Sequence, residues 1–113
     1  MKSRSAKKKG VRLQNCTRDA IYKAFPELMP DDVRTAIMGA GGEDILLSPA
    51  ARRCVPLSIE CKNQEKLNIW AALEQAERGD YPGAVVFKRN RSKTYVAIEW
   101  DTLLEFLSAR ELE

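Results

Sequence analysis

Histidine is absent from this 113-residue chain, and cysteine occurs only three times, at positions 16, 54 and 61, with no Cys-x-x-Cys spacing. A structural zinc centre needs four soft ligands at short spacings, so this pattern excludes one. Three scattered cysteines are not a disulfide framework either; they read as reduced, small core residues of a cytoplasmic protein. No apolar run approaches the ~20 residues of a membrane-spanning helix. The basic opening MKSRSAKKKG has no apolar stretch behind it, which is not the build of a secretory signal. Aromatic residues make up only 7%, and none are interleaved with bases in the manner of an RNA-stacking platform. The glycines of GAGGED lack the Gly-Lys-Ser/Thr of a phosphate loop. The expectation is a cytoplasmic domain with no membrane partner and no small-molecule cofactor.

What is present is a chain long enough for one core and too short for two, with 44% hydrophobic and 31% charged residues. Its net charge of +3 is unevenly spread. Lys2, Arg4, Lys7, Lys8, Lys9 and Arg12 put six positive charges in the first twelve residues with no acid among them. The remaining thirteen basic residues face all sixteen acids. Residues 1–9 therefore read as a flexible basic arm on a single domain spanning 10–113. Such an arm suits a polyanion, although a solvated tail has the same composition.

From Val11 to Ala24 the apolar residues recur at threes and fours, an amphipathic helix that ends before Pro26. Residues Pro26–Asp32 are turn chemistry, and Val33–Met38 reads as a strand closed by Gly39-Ala40-Gly41-Gly42. Asp44–Ser48 is a second strand, residues 50–55 a connection, and Pro56–Lys62 a third strand. A helix over Gln64–Arg78 follows, with Leu67, Trp70, Ala71, Leu73 and Ala76 inward and Gly79 as its stop. Trp100, like Trp70, reads as core. Strands Ala84–Lys88 and Lys93–Glu99 flank a polar hairpin, and Asp101 caps a last helix. The expected fold is α/β, a mixed central sheet flanked by helices.

The third strand poses the chemical question. Leu57, Ile59 and Cys61 share one face, while Ser58, Glu60 and Lys62 share the other, because strand side chains alternate. Charge in an apolar run is costly unless it is paired or bound. The plain alternative is a surface strand with a Glu60–Lys62 neighbour pair of little energetic value. The site reading sets Glu60 and Lys62 about 7 Å apart along the strand. It brings Asp44 alongside from the second strand. Two carboxylates and the Cys61 carbonyl make an oxygen-rich set suited to Mg²⁺ or Mn²⁺. Lys62 beside it can orient a water and stabilise charge developing on a phosphate.

Asp44, fifteen intervening residues, then Glu60-Cys61-Lys62 resembles the PD-(D/E)xK nuclease motif. The α-β-β-β-α-β order is similar to the restriction-endonuclease-like core of that superfamily. The likeness runs from about Gly10 to Ile98, and the small size resembles phage-type and Holliday-junction-resolvase-like members of bacterial cells. It implies a Mg²⁺- or Mn²⁺-dependent hydrolase that cuts DNA to 5′-phosphate and 3′-hydroxyl ends. Asp44, Glu60 and the Cys61 carbonyl would be its metal ligands and Lys62 its catalytic lysine. Many members place a Glu on the first helix; here Gln14 stands at the matching position. Gln75 resembles a glutamine that some branches hold near the active site. The DNA backbone would meet Lys7, Lys8, Lys9, Arg12, Arg52, Arg53, Lys88, Arg89, Arg91 and Lys93. With no recognition helix evident, backbone and shape are read rather than bases, which suits structure-selective cutting. Dimerisation would suit paired cuts. The competing readings are a non-catalytic nucleic-acid-binding module on the same fold, and an RNA nuclease.

Overall fold

The computed structural model describes residues 4–37 and 41–111. Lys2 of the basic arm, the expected strand end at Met38, and Gly39 and Ala40 lie outside the described residues. The chain is mixed α/β, in the order α1 (Arg4–Ala24), β1 (Val33–Thr35), β2 (Ile45–Leu47), α2 (Pro49–Cys54), β3 (Ser58–Asn63), α3 (Ile69–Ala76), β4 (Gly83–Lys88), β5 (Tyr95–Ile98) and α4 (Trp100–Glu111). Strands β3, β4 and β5 form a mixed sheet with β4 central, parallel to β3 and antiparallel to β5. Strands β1 and β2 are a separate antiparallel pair. One backbone bond ties that pair to the sheet: the Asp44 N–H donates to the Ile59 carbonyl at 3.0 Å. The single central sheet expected from the sequence is thus divided, because β2 gives way after three residues to a helix start.

That helix, α2, occupies what the sequence suggested was a connection. Ser48 caps it by accepting the Ala51 N–H at 3.1 Å, and Pro49 opens its first turn. Serine followed by proline stops a strand and starts a helix with the same two residues. Ser48 also donates to Asp32 at 2.7 Å, fastening the turn before β1, and the Tyr22 hydroxyl donates to the Val33 carbonyl at 3.0 Å.

The flexible arm through Lys9 is corrected as well, since α1 is already helical at Arg4. Alanine, lysine and arginine are good helix formers, and one glycine at position 10 does not outweigh them. The Lys9 carbonyl accepts the Asn63 side chain at 3.4 Å, which docks this first stretch against the end of β3. Helix α3 is shorter than expected. It is capped by Asn68, which accepts the Ala71 N–H at 3.1 Å, and it buries Ala72 and Ala76. Trp70 does not join the core: it is 79% exposed.

Helices α1 and α3 cover opposite faces of β3. Leu13 on α1 packs with Ile59, Cys61 and Ala84, joined by Ile45 and Val33 from the hairpin. Ala72 and Ala76 on α3 pack with Val85, joined by Leu73, Phe87 and Ala97. Parallel strand and helix meet closely at Gly83, where an added Cβ would stand 2.6 Å from the Ala76 carbonyl carbon. Only glycine fits there. Because both its faces are covered, β3 is buried from Ser58 through Cys61. No described helix is long and apolar enough to cross a membrane.

Candidate active site

Glu60 and Lys62 project from β3 toward α3, while Ile59 and Cys61 project toward α1, in the alternation the sequence called for. Helix α3 makes the Glu60 face an interior one, leaving Glu60 5% exposed. The Gln75 amide donates to the Glu60 carboxyl at 3.4 Å. Asp44 enters at the β2-side edge, where its Oδ2 accepts the Cys61 N–H at 2.7 Å. In a strand the N–H and C=O of one residue point to the same edge, so the Cys61 carbonyl shares the edge that Asp44 occupies. The structure thus brings together Asp44, Glu60, Gln75 and the Cys61 backbone, with Lys62 half-buried beside them.

The electrostatics of the pair follow from this packing. Burial pushes Glu60 up to about 7, and the negative charge of Asp44 adds to it. A hydrogen bond to Asp44 works the same way, since between two carboxyls one must keep its proton to donate. Glu43 raises Glu60 further, and only Lys62 pulls it down. The Cys61 thiol, facing Thr17 at 3.6 Å, is pushed by burial to about 12 and is inert at neutral pH. Cys61 contributes its backbone to the site and its side chain to the core.

Among the described residues, no three His, Cys, Asp or Glu side chains converge in metal-binding geometry. The donors at hand are two carboxylates and a carbonyl. Mg²⁺ is commonly held by one or two carboxylates and keeps several waters, so the set fits that ion. A second cationic side chain, Arg78 in the turn just after α3, lines a cleft of about 280 Å³ with Glu60, Gln75, Gly41 and Gly42. Nothing in the spacing of the chain marks Arg78, because only the ending of α3 at Ala76 places it there. Gly42 turns the chain with φ +94°, a conformation glycine adopts freely, just before Glu43 and Asp44.

The basic residues divide between the two ends of β3. Lys9 contacts Asn63, and Lys88 is opposite Asn63 in register, so the start of α1 and the β4–β5 turn converge one residue beyond Lys62. Lys7, Lys8, Lys9 and Arg12 come from α1, and Lys88, Arg89, Arg91 and Lys93 from the turn region. Arg52 lies at the other end and is engaged internally. It pairs with Glu43, donates to the Leu57 carbonyl at 2.6 Å, and stacks on Tyr81 at 4.4 Å. Arg53 is exposed on α2. Arg52→Met is therefore expected to cost about 2 kcal/mol of stability in chemical denaturation, by stranding the Glu43 carboxylate. Arg53→Ala should stay within about 0.5 kcal/mol of the parent.

Gln14 is buried, 5% exposed, on the helix that covers the Ile59–Cys61 face.

Compared with known proteins, the chain matches no family model, no curated protein and no solved structure. The site stands on its own chemistry.

Proposed function

We propose that this protein is a divalent-cation-dependent phosphodiesterase that cuts DNA, built on a restriction-endonuclease-like αβββαβ core with the short α2 inserted. The observation that carries the reading is the pairing of Asp44 with Glu60, two carboxyls pressed together beside a lysine, with Glu60 raised to about 7. A purely structural pair gains nothing from this repulsion, whereas a cation-binding pair is built from it. Asp44, Glu60 and the Cys61 carbonyl would hold Mg²⁺ or Mn²⁺, which when bound polarises a phosphodiester and eases deprotonation of water.

The protein's own groups have separate tasks. The Cys61 N–H fixes the Asp44 carboxylate in place, and Gln75 orients Glu60. Lys62 positions the attacking water and offsets negative charge on the phosphate. Arg78 meets phosphate oxygens at the cleft. The bases of α1 and the β4–β5 turn neutralise the flanking backbone, which recognises shape rather than sequence. Binding to DNA should weaken steeply with salt for the same reason.

The test is a cleavage assay on supercoiled, single-stranded and four-way-junction DNA, with Mg²⁺, Mn²⁺ or EDTA, comparing the parent with Asp44→Asn. Cutting that needs the cation and falls by about 10³-fold in the variant supports the reading. Equal activity in the two proteins refutes it. Binding without cutting in both would assign a nucleic-acid-binding module, and cutting confined to RNA would change the substrate.

A further inference from the structure

Helix α4 is apolar on more of its circumference than the fold covers. Thr102 is buried and Leu103 and Phe106 are half-buried along one side. Trp100, Leu104 and Leu107 stand on the adjacent side, 66%, 41% and 46% exposed. Their spacing of four and three residues makes one continuous stripe on the helix. An exposed apolar stripe of this kind marks a docking surface more often than a solvated one.

A matching receptacle lies nearby. Between α1 and the free edge strand β5 is an open apolar groove of about 530 Å³, whose lining includes Cys16, Ala20, Ala24, Phe25, Tyr95 and Val96. The small side chains on the α1 wall let a helix approach closely, and Tyr95 and Val96 are more than half exposed. Strand β5, one wall of the groove, ends at Ile98, two residues before α4 begins at Trp100.

We propose that a second copy of this chain occupies the groove, each copy seating the Trp100–Leu104–Leu107 stripe of α4 against α1 and β5 of the other. Two features select a second copy over an unrelated partner. In a two-fold dimer each copy offers both halves of the contact, and this chain carries both the apolar stripe and the apolar groove. The charges match as well. Arg12 and Lys23 fall in line with Cys16 along one flank of the α1 wall, at multiples of nearly a whole helical turn. Asp101 and Glu105 flank Leu104 on α4. Among the described side chains, α4 carries Asp101 and Glu105 against Arg110, whereas α1 carries seven Lys and Arg against Asp19. The pairing leaves the Asp44–Glu60 site on the α3 face and does not depend on the phosphodiesterase reading.

The experiment measures mass in solution by light scattering on the full chain, up to about 100 µM, since dimer population follows protomer concentration. A dimer is expected for the parent. A monomer with an unchanged circular-dichroism spectrum is expected for Leu104→Glu/Leu107→Glu. A parent that stays monomeric, or a variant that stays dimeric, overturns the proposal. A covalent trap identifies the surface independently of folding effects. Leu104→Cys in a Cys54→Ser background is oxidised with glutathione disulfide. Two protein thiols lose their protons and two electrons to form one disulfide, and the oxidant is reduced to two thiols. A linked dimer that requires both Cys16 and the Leu104→Cys change supports the interface. A link within one chain, or none, refutes it.

Discussion

In metal-free buffer at about pH 8, Glu60→Gln is expected to unfold about 3 kcal/mol less readily than the parent. The free energy follows from the carboxyl's position against Asp44 under α3, where burial and like charge raise it from 4.5 to about 7. Unfolded chain loses the Glu60 proton near 4.5, while folded chain holds it until about 7. The parent's stability therefore falls as pH rises between those two values and levels off above them, where the folded state bears two adjacent negative charges. Below about 4.5 both states are protonated and parent and variant should differ little. Glutamine keeps the shape and can still donate toward Asp44, but it carries no charge to be repelled. At neutral pH and above, the variant's melting temperature should exceed the parent's by about 10 °C.

Under the proposed function the same variant should lose cleavage by about 10³-fold or more, since it removes one of the two carboxylates proposed to hold the cation. Added Mg²⁺ separates the two effects. It should stabilise the parent by about 1.4 kcal/mol at ten times its dissociation constant, and leave Glu60→Gln unmoved. Scanning calorimetry against pH, with and without Mg²⁺, reads all of this. A variant with the parent's stability and the parent's pH slope would show that Glu60 is not held against Asp44.

Under the proposed DNA cleavage, Lys62→Met is expected to reduce the turnover rate by about 10²- to 10⁴-fold while leaving KM for DNA and Mg²⁺-induced stabilisation nearly unchanged. Lys62 stands opposite Phe87 in the β3–β4 register, half-buried, so methionine preserves the apolar stem and removes the ammonium alone. Its charge also holds Glu60 down, so the pH at which metal-free stability levels off should rise in the variant. Single-turnover kinetics on a junction substrate, beside titration of binding under EDTA, distinguish loss of chemistry from loss of affinity. A proportional rise in KM with unchanged turnover would make Lys62 one more phosphate contact.

Much of the local structure was legible from the chain. Alternation in Leu57-Ser58-Ile59-Glu60-Cys61-Lys62 named the strand and its two faces, and spacing named α1; Asp101, expected as the cap of α4, lies in its first turn, since the helix begins at Trp100. Two errors share a cause. Trp70 and Trp100 were expected in the core because large aromatics are usually covered, yet both are exposed. Periodicity says which residues share a helix face but not whether a neighbour arrives to cover it. Helix α2 falls where the sequence reads as a strand end and a connection, although Ser48-Pro49 is also a helix start. By charge the start of α1 reads as an arm, yet five of the six residues from Arg4 to Lys9 are good helix formers.

By itself the sequence determined that Glu60 and Lys62 share one side of β3 and Cys61 the other, since a period of two follows from strand geometry alone. Tertiary structure decided what that side meets. The sixteen-residue step from Asp44 to Glu60 is closed by a hydrogen bond to the Cys61 backbone, and α3 folds back to bury Glu60 beneath Gln75. Both depend on contacts between residues distant in the chain, where burial and like charge act through space. That is why a carboxyl ordinary in sequence stands near 7 in the fold.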